Sequence, residues 1–250
     1  MSVLVGLHGE AGAGKDTVAK LIIDWCNDTY PTCLPRRYSF AKPVYELASV
    51  ILGVTPEFLG ERRGKEIDQW FTVTQSQLER ARDVWFKYGI DKFEDFSYVW
   101  PIFEEKYLNP QQLISENKEG GLYSLFISPR KMLQLVGTEL GRQLVHERIW
   151  LIILEQSIAK DDPDVAVITD VRFPNEGELL RETNHLDMDS LLINVVPAEQ
   201  KFTIKSDHPS ESGIPAKYIT HELVNKFDGI NNLKLEVYNF CDLELEPLVG

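Results

Sequence analysis

The sequence predicts an α/β fold, a parallel sheet covered by helices on both faces, and three features carry that prediction. Apolar runs suited to buried strands, Val3-Leu4-Val5-Gly6-Leu7, Val165-Ala166-Val167-Ile168-Thr169 and Leu191-Leu192-Ile193-Asn194-Val195-Val196, lie far apart in the chain. Helical patterns separate them, which calls for parallel crossovers rather than hairpins. The first run passes through a glycine-rich turn straight into a helix, the junction at which such sheets take up ligands beyond the strand ends.

That turn reads Gly9-Glu10-Ala11-Gly12-Ala13-Gly14-Lys15-Asp16-Thr17, and its glycines let several backbone N–H groups face one anion. The helix that opens at Thr17-Val18-Ala19-Lys20-Leu21-Ile22-Ile23 adds its positive dipole end, and Lys15 adds a movable full charge. A nucleoside triphosphate is the expected guest, cradled by Gly12, Ala13, Gly14, Lys15, Asp16 and Thr17. Asp16 stands where a Ser or Thr commonly reaches Mg2+, and a Thr follows it. The pattern Gly9-x-x-Gly12-x-Gly14-Lys15-x-Thr17 resembles a small-molecule kinase loop of the adenylate-kinase type more than a motor or GTPase loop. Thr17 is expected to face the metal or the α-phosphate. For Asp16 two readings stand: a carboxylate facing Mg2+, its waters or the acceptor phosphate, or simple stabilisation of the helix N-terminus.

Composition narrows the class. A chain of 250 residues, 43% hydrophobic and 26% charged, suits one globular core with an insertion. No run reaches the length of a transmembrane helix and no signal peptide precedes the first strand, so a cytoplasmic protein is expected. Cys26, Cys33 and Cys241 show neither C-x-x-C nor Cys/His metal spacing, which argues against a disulfide framework or a zinc site. A net charge of −13 argues against broad attachment to nucleic acid or to an anionic membrane.

Further along, Arg37 to Ala41 reads as a second strand, with a helix starting at Pro43. From about 55 to 121 the pattern loosens into a charged segment rich in Trp, Tyr and Phe, read as a helical insertion. Its aromatics suit a satellite core, a base-stacking surface or a subunit contact, the first being the ordinary role of such residues. Ser128 is placed as an N-cap and Pro129 as the first residue of a helix running to Arg142. At helical spacing Met132, Leu133, Val136 and Leu140 fall on one arc, and Arg130, Gln134, Gly137, Thr138 and Gly141 on the opposite one. The polar arc suits either a hydrogen-bonding face turned to a ligand, with glycines allowing close approach, or a solvated surface. A helix follows around Trp150. The strand Val165–Thr169 ends in a polar cluster of Asp170, Arg172, Asn175 and Glu176, a further strand occupies 191–196, and Lys217 to Val224 and Ile230 to Phe240 are read as a last strand and a closing helix.

Taken in order, Gly14-Lys15-Asp16-Thr17, Ala41-x-Pro43, Arg130-x-x-x-Gln134-x-x-Gly137-Thr138, Trp150, Asp170-x-Arg172-x-x-x-Glu176 and His208-x-x-Glu211-x-Gly213-x-Pro215 resemble the deoxynucleoside monophosphate kinases of large lytic coliphages. The resemblance runs over nearly the whole chain and is weakest at 55–121. It implies a P-loop, nucleoside-monophosphate-kinase-like domain over 1–250 that moves the γ-phosphoryl group of ATP to deoxynucleoside 5′-monophosphates with Mg2+ present, and a homodimer by family analogy. It also implies site roles: Lys15, Asp16, Arg130, Asp170 and Arg172 in catalysis, and Arg130, Lys131, Gln134, Gly137, Thr138, Trp150, Asp170, Arg172 and Glu176 at the monophosphate. Thr17 and Asp16 are the metal candidates, directly or through water. A guanidinium at Arg130 offers paired donors that fit phosphate oxygens. Arg172 and Glu176 either contact the acceptor or hold each other as a structural pair.

The segment Pro197 to Pro215 lies where related kinases carry a closing lid; it holds Lys201, Lys205 and His208 but no arginine. Two other functions stay open on sequence: a kinase of another small acceptor, as in dephospho-coenzyme A kinases, and a regulatory module that uses nucleotide as a switch.

Overall fold

A computed structural model of the chain describes residues 2–61, 64–108, 113–114, 122–181, 188–198 and 213–249. They fall into two compact units, one of residues up to Phe40 together with those from Leu154 onward, the other Ala41–Ile153.

The first unit is built on a five-stranded sheet whose order is β2 (Pro35–Tyr38), β6 (Val165–Ile168), β1 (Val3–His8), β7 (Asp189–Pro197), β8 (His221–Asn225). Every neighbouring pair is parallel, with Val5 facing Val167 on one side and Leu191 on the other. Period-two alternation puts Val3, Val5 and Leu7 on one face of β1, packed with Val167, Ile193 and Val195. Helix α1 (Lys15–Thr29) lays Val18, Ala19, Ile22, Trp25 and Cys26 on that face, and α9 (Ile230–Phe240) adds Leu233 and Val237. Across the sheet, Leu180 of α8 (Pro174–Arg181) lies over Gly6, so helices cover both faces. Strand β2 starts two residues before the expected one and ends at Tyr38, because its register with β6 stops at Tyr38 opposite Ile168. Ser39 and Phe40 then leave the sheet to bond Asp170.

The second unit contains α2 (Lys42–Leu52), α3 (Pro56–Gly60), α4 (Gln75–Lys87), α5 (Phe96–Tyr107) and α6 (Pro129–Gln134), and α7 (Ile149–Asp161) carries its C-terminal boundary. A three-stranded antiparallel sheet, ordered β3 (Gln69–Val73), β5 (Tyr123–Ile127), β4 (Leu113–Ile114), was not foreseen in the sequence. The aromatic segment does form a core: Trp85, Phe96, Trp100 and Phe103 are buried, with Phe96 stacked on Trp100 at 5.6 Å between ring centroids. That core is continuous with Leu47 and Ile51 of α2 and Met132 and Val136 of the helix after Ser128. Helix α4 opens on a capping box between Thr74 and Gln77.

Helix α6 starts as expected, with the Ser128 hydroxyl accepting from the Lys131 N–H at 3.3 Å and Pro129 next. It does not continue as an α-helix. From Leu135 to Val145 the backbone is π-helical, a widened turn that is rare and concentrated at functional sites. Met132, Leu133, Val136 and Leu140 are buried as expected, but Gly141 is buried too and leaves the polar arc.

Candidate active site

In the first unit the polar groups gather at the C-terminal ends of β1, β2 and β6. Gly14, at φ 99°, caps α1 in a conformation that side chains disfavour, and a Cβ there would come within 2.5 Å of Asn225 Nδ2. Gly9, at φ 139°, lies so near β7 that a Cβ would meet the Val195 carbonyl oxygen at 2.3 Å. The turn is therefore shaped by backbone that only glycine supplies. Asn225 holds it from outside: its buried amide donates to the Ala13 carbonyl at 3.0 Å, and its Oδ1 accepts from the Phe227 N–H at 3.1 Å.

Lys15 folds back over the turn and donates to the carbonyls of Gly9 (2.7 Å) and Glu10 (2.9 Å). Burial, reinforced by the nearby Arg172 charge, lowers its pKa to about 8, against the pull of Asp16, Asp170 and Glu10. His8 ends β1 with Nδ1 2.9 Å from the Val171 carbonyl; since a carbonyl only accepts, Nδ1 carries the hydrogen. Burial, with Lys15 and Arg172 close by, holds the His8 pKa below its ordinary value, so the ring is neutral at pH 7.

Asp16, in the first turn of α1, forms an ion pair with Arg37 of β2. Asp170 accepts from the Ser39 hydroxyl at 2.8 Å and the Phe40 N–H at 2.9 Å, which fixes its carboxylate at the end of β6. Arg172 is exposed. Glu176 is not: at 2% exposure its Oε2 accepts from the backbone N–H groups of Arg172 (2.7 Å) and Phe173 (3.0 Å). As the third residue of α8 it caps that helix and sets the backbone from which Arg172 projects.

In the second unit Arg130 is the second residue of α6. Its N–H donates to the Lys65 carbonyl at 2.9 Å and its guanidinium pairs with Glu66. Lys65 donates to the Tyr45 hydroxyl at 2.6 Å, so two cations share this corner, with Lys131 exposed beside them. Gln134, Gly137 and Thr138 are half-buried on the same helical run. Trp150, which the resemblance places at the monophosphate, packs against this run. Its ring is 3% exposed, its Nε1 donates to the Gly137 carbonyl at 2.7 Å, and a Cβ on Gly141 would come within 2.1 Å of it. The glycine at 141 thus admits the indole.

Sequence reasoning placed Lys15, Asp16, Asp170 and Arg172 in one neighbourhood, and they are. It passed over Arg37, His8 and Lys65, which carry no motif; only the basic pair Arg36-Arg37 at a strand end hinted at one of them. Lys201, Lys205, His208 and Glu211 lie outside the described residues. Among the described residues no group of three or more His, Cys, Asp or Glu side chains gathers as a metal site, and no helix is long and apolar enough to cross a membrane.

A parallel sheet whose first strand runs through a glycine cradle into a lysine-headed helix, with a carboxylate fixed at a neighbouring strand end, defines a P-loop phosphotransferase. The family model of deoxynucleotide monophosphate kinase matches residues 94–237, which include Arg130, Trp150, Asp170 and Glu176. Over all 250 residues, and the whole length of the relative, the chain is 98% identical to a deoxynucleoside-5′-monophosphate kinase of Escherichia phage T5. The chain belongs to the deoxynucleotide monophosphate kinase family, and as a kinase it takes ATP as co-substrate.

Proposed function

We propose that this chain transfers the γ-phosphoryl group of ATP to deoxynucleoside 5′-monophosphates, with the 9–17 turn as donor site and Arg130 as the principal acceptor-phosphate ligand. Family membership supports the reaction. The observation that carries the donor assignment is Lys15, held over a glycine cradle within electrostatic reach of Arg172 and Asp170.

An oxygen of the monophosphate forms a bond to the γ-phosphorus while the bond to the β,γ-bridging oxygen breaks, leaving ADP and a deoxynucleoside diphosphate. Protein assists by positioning and by placing positive charge. Lys15 contacts the β- and γ-phosphates, and the backbone N–H groups from Gly12 through Thr17 surround them. Arg172 adds charge beside Lys15, from a backbone that Glu176 pins. Arg130, with Lys131, binds the acceptor phosphate, and Gln134 and Thr138 orient its sugar or base. Trp150 supports that run through Gly137 and Gly141. His8 is an uncharged neighbour of the phosphates.

The oxygens present fit Mg2+, which takes one or two carboxylates and completes its shell with phosphates and water. Thr17 would hold it, with Asp170, whose carboxylate Ser39 and Phe40 fix at the end of β6, acting through water. When bound, the ion neutralises phosphate charge. Asp16 is committed to Arg37 and is not assigned to it. A homodimer and a cytoplasmic site of action are part of the same proposal, and sedimentation analysis tests the former.

Incubation with ATP, Mg2+ and a panel of deoxynucleoside monophosphates, ribonucleoside monophosphates and dephospho-coenzyme A tests the reading. Diphosphate formation from the deoxynucleotides supports it. ATP hydrolysis without any deoxynucleoside diphosphate would refute it.

A further inference from the structure

An acidic residue directly after the cradle lysine poses an electrostatic problem: a carboxylate in the first turn of α1 stands beside the place where a triphosphate binds, and like charge there weakens binding. Arg37 meets that problem. It sits at the C-terminal end of β2, the end of the sheet where Ser39 and Phe40 also hold Asp170, and its Nη2 binds Asp16 Oδ1. The two side chains are 49% and 78% exposed. At such exposure an ion pair contributes little to stability, so holding the fold together is a weak reason for it. A guanidinium has five N–H donors in a fixed fork, and the Asp16 contact is made through one nitrogen. Asp16 lies in the first turn of the helix that Lys15 opens and is among the charges that act on Lys15, so its carboxylate holds Arg37 at the same end of the sheet as the cradle.

We propose that Arg37 is a further catalytic residue, its guanidinium contacting the phosphates of bound ATP beside Lys15, and that Asp16 is the positioning residue that aims it there. This rests on the donor-site assignment of the 9–17 turn. The charge on Arg37 assists most as negative charge spreads over the oxygens of the transferring group, so its removal lowers kcat more than ATP affinity. The role of Asp16 is then indirect, and its loss matters only while Arg37 is present.

The test is steady-state kinetics and ATP binding on the full chain for Arg37→Ala, Arg37→Lys, Asp16→Ala and the double variant, with Lys15→Ala in parallel. Arg37→Ala is expected to lower kcat at least about 30-fold with ATP affinity changed less than about threefold. Low-millimolar guanidinium is expected to restore part of that activity, and Arg37→Lys to remain impaired. Asp16→Ala is expected to lose less than Arg37→Ala, and the double variant no more than Arg37→Ala alone. A kcat within threefold of the parent in Arg37→Ala, a loss confined to ATP affinity, no recovery with guanidinium, or losses that multiply in the double variant would overturn the proposal. If Lys15→Ala also keeps full turnover, the donor-site assignment itself falls; if Lys15→Ala is inactive while Arg37→Ala is not, only the role of Arg37 falls.

Discussion

Lys15 shows how one side chain trades stability for chemistry. Its pKa of about 8 against an ordinary 10.5 means that the folded protein holds a desolvated cation at pH 7, a penalty of at most about 3 kcal/mol. Between those two values the unfolded chain binds more protons than the folded one, so the penalty is full below pH 8 and is relieved as pH rises toward 10.5. Thermal denaturation without nucleotide is expected to show Lys15→Met melting roughly 2–5 °C above the parent at pH 7, while ATP binding is lost. In the parent, ATP affinity measured by calorimetry is expected to decline above pH 8 as Lys15 loses its proton. Lys15 and its glycines were legible because their chemistry is local. Glu176 was less so: the sequence left an acceptor contact and a structural pairing both open, and its buried carboxylate accepts from the N–H groups of Arg172 and Phe173, backbone donors that side-chain identities do not reveal. Removing it in Glu176→Ala leaves two N–H groups without that partner, an expected cost of about 1–3 kcal/mol read as a lowered denaturation midpoint.

The run from Ser128 to Val145 is the element whose sequence both revealed and concealed its form. Its N-cap, its proline and its apolar stripe were plain, since each depends on neighbours within one or two turns. The change from α to π at Leu135 was concealed, and so was the docking within that run of Trp150, nine residues beyond Gly141, with its indole against Gly141 and its N–H on Gly137. Gly141→Ala places a methyl group where the indole lies, and such overpacking typically costs about 1–3 kcal/mol. Kinetics on that variant are expected to show a raised KM for the deoxynucleoside monophosphate with KM for ATP unchanged. An equal rise in both would detach the π-helical run from acceptor binding. The antiparallel strand Gln69–Val73 escaped notice for a related reason: Trp70, Phe71, Thr72 and Val73 suit a strand, but the run is short and its partner, Tyr123–Ile127, lies about fifty residues on.

For the molecule as a whole, the parallel sheet was readable because a strand buried on both faces announces itself as an unbroken apolar run, and the order of strands and helices leaves little topological choice. The division of the chain was less so. Nothing in composition marks Ala41 or Ile153, since the core that unites residues between them is assembled from α2, the aromatic helices and the run after Ser128. On the proposed function, donor and acceptor contacts are carried by different residues, Lys15 for one and Arg130 for the other. Calorimetric titration of each single substrate into Lys15→Ala and Arg130→Ala addresses it directly. Lys15→Ala is expected to lose ATP binding while keeping the monophosphate, and Arg130→Ala to weaken monophosphate binding at least about tenfold while keeping ATP. Selective loss of ATP binding in Arg130→Ala would contradict it.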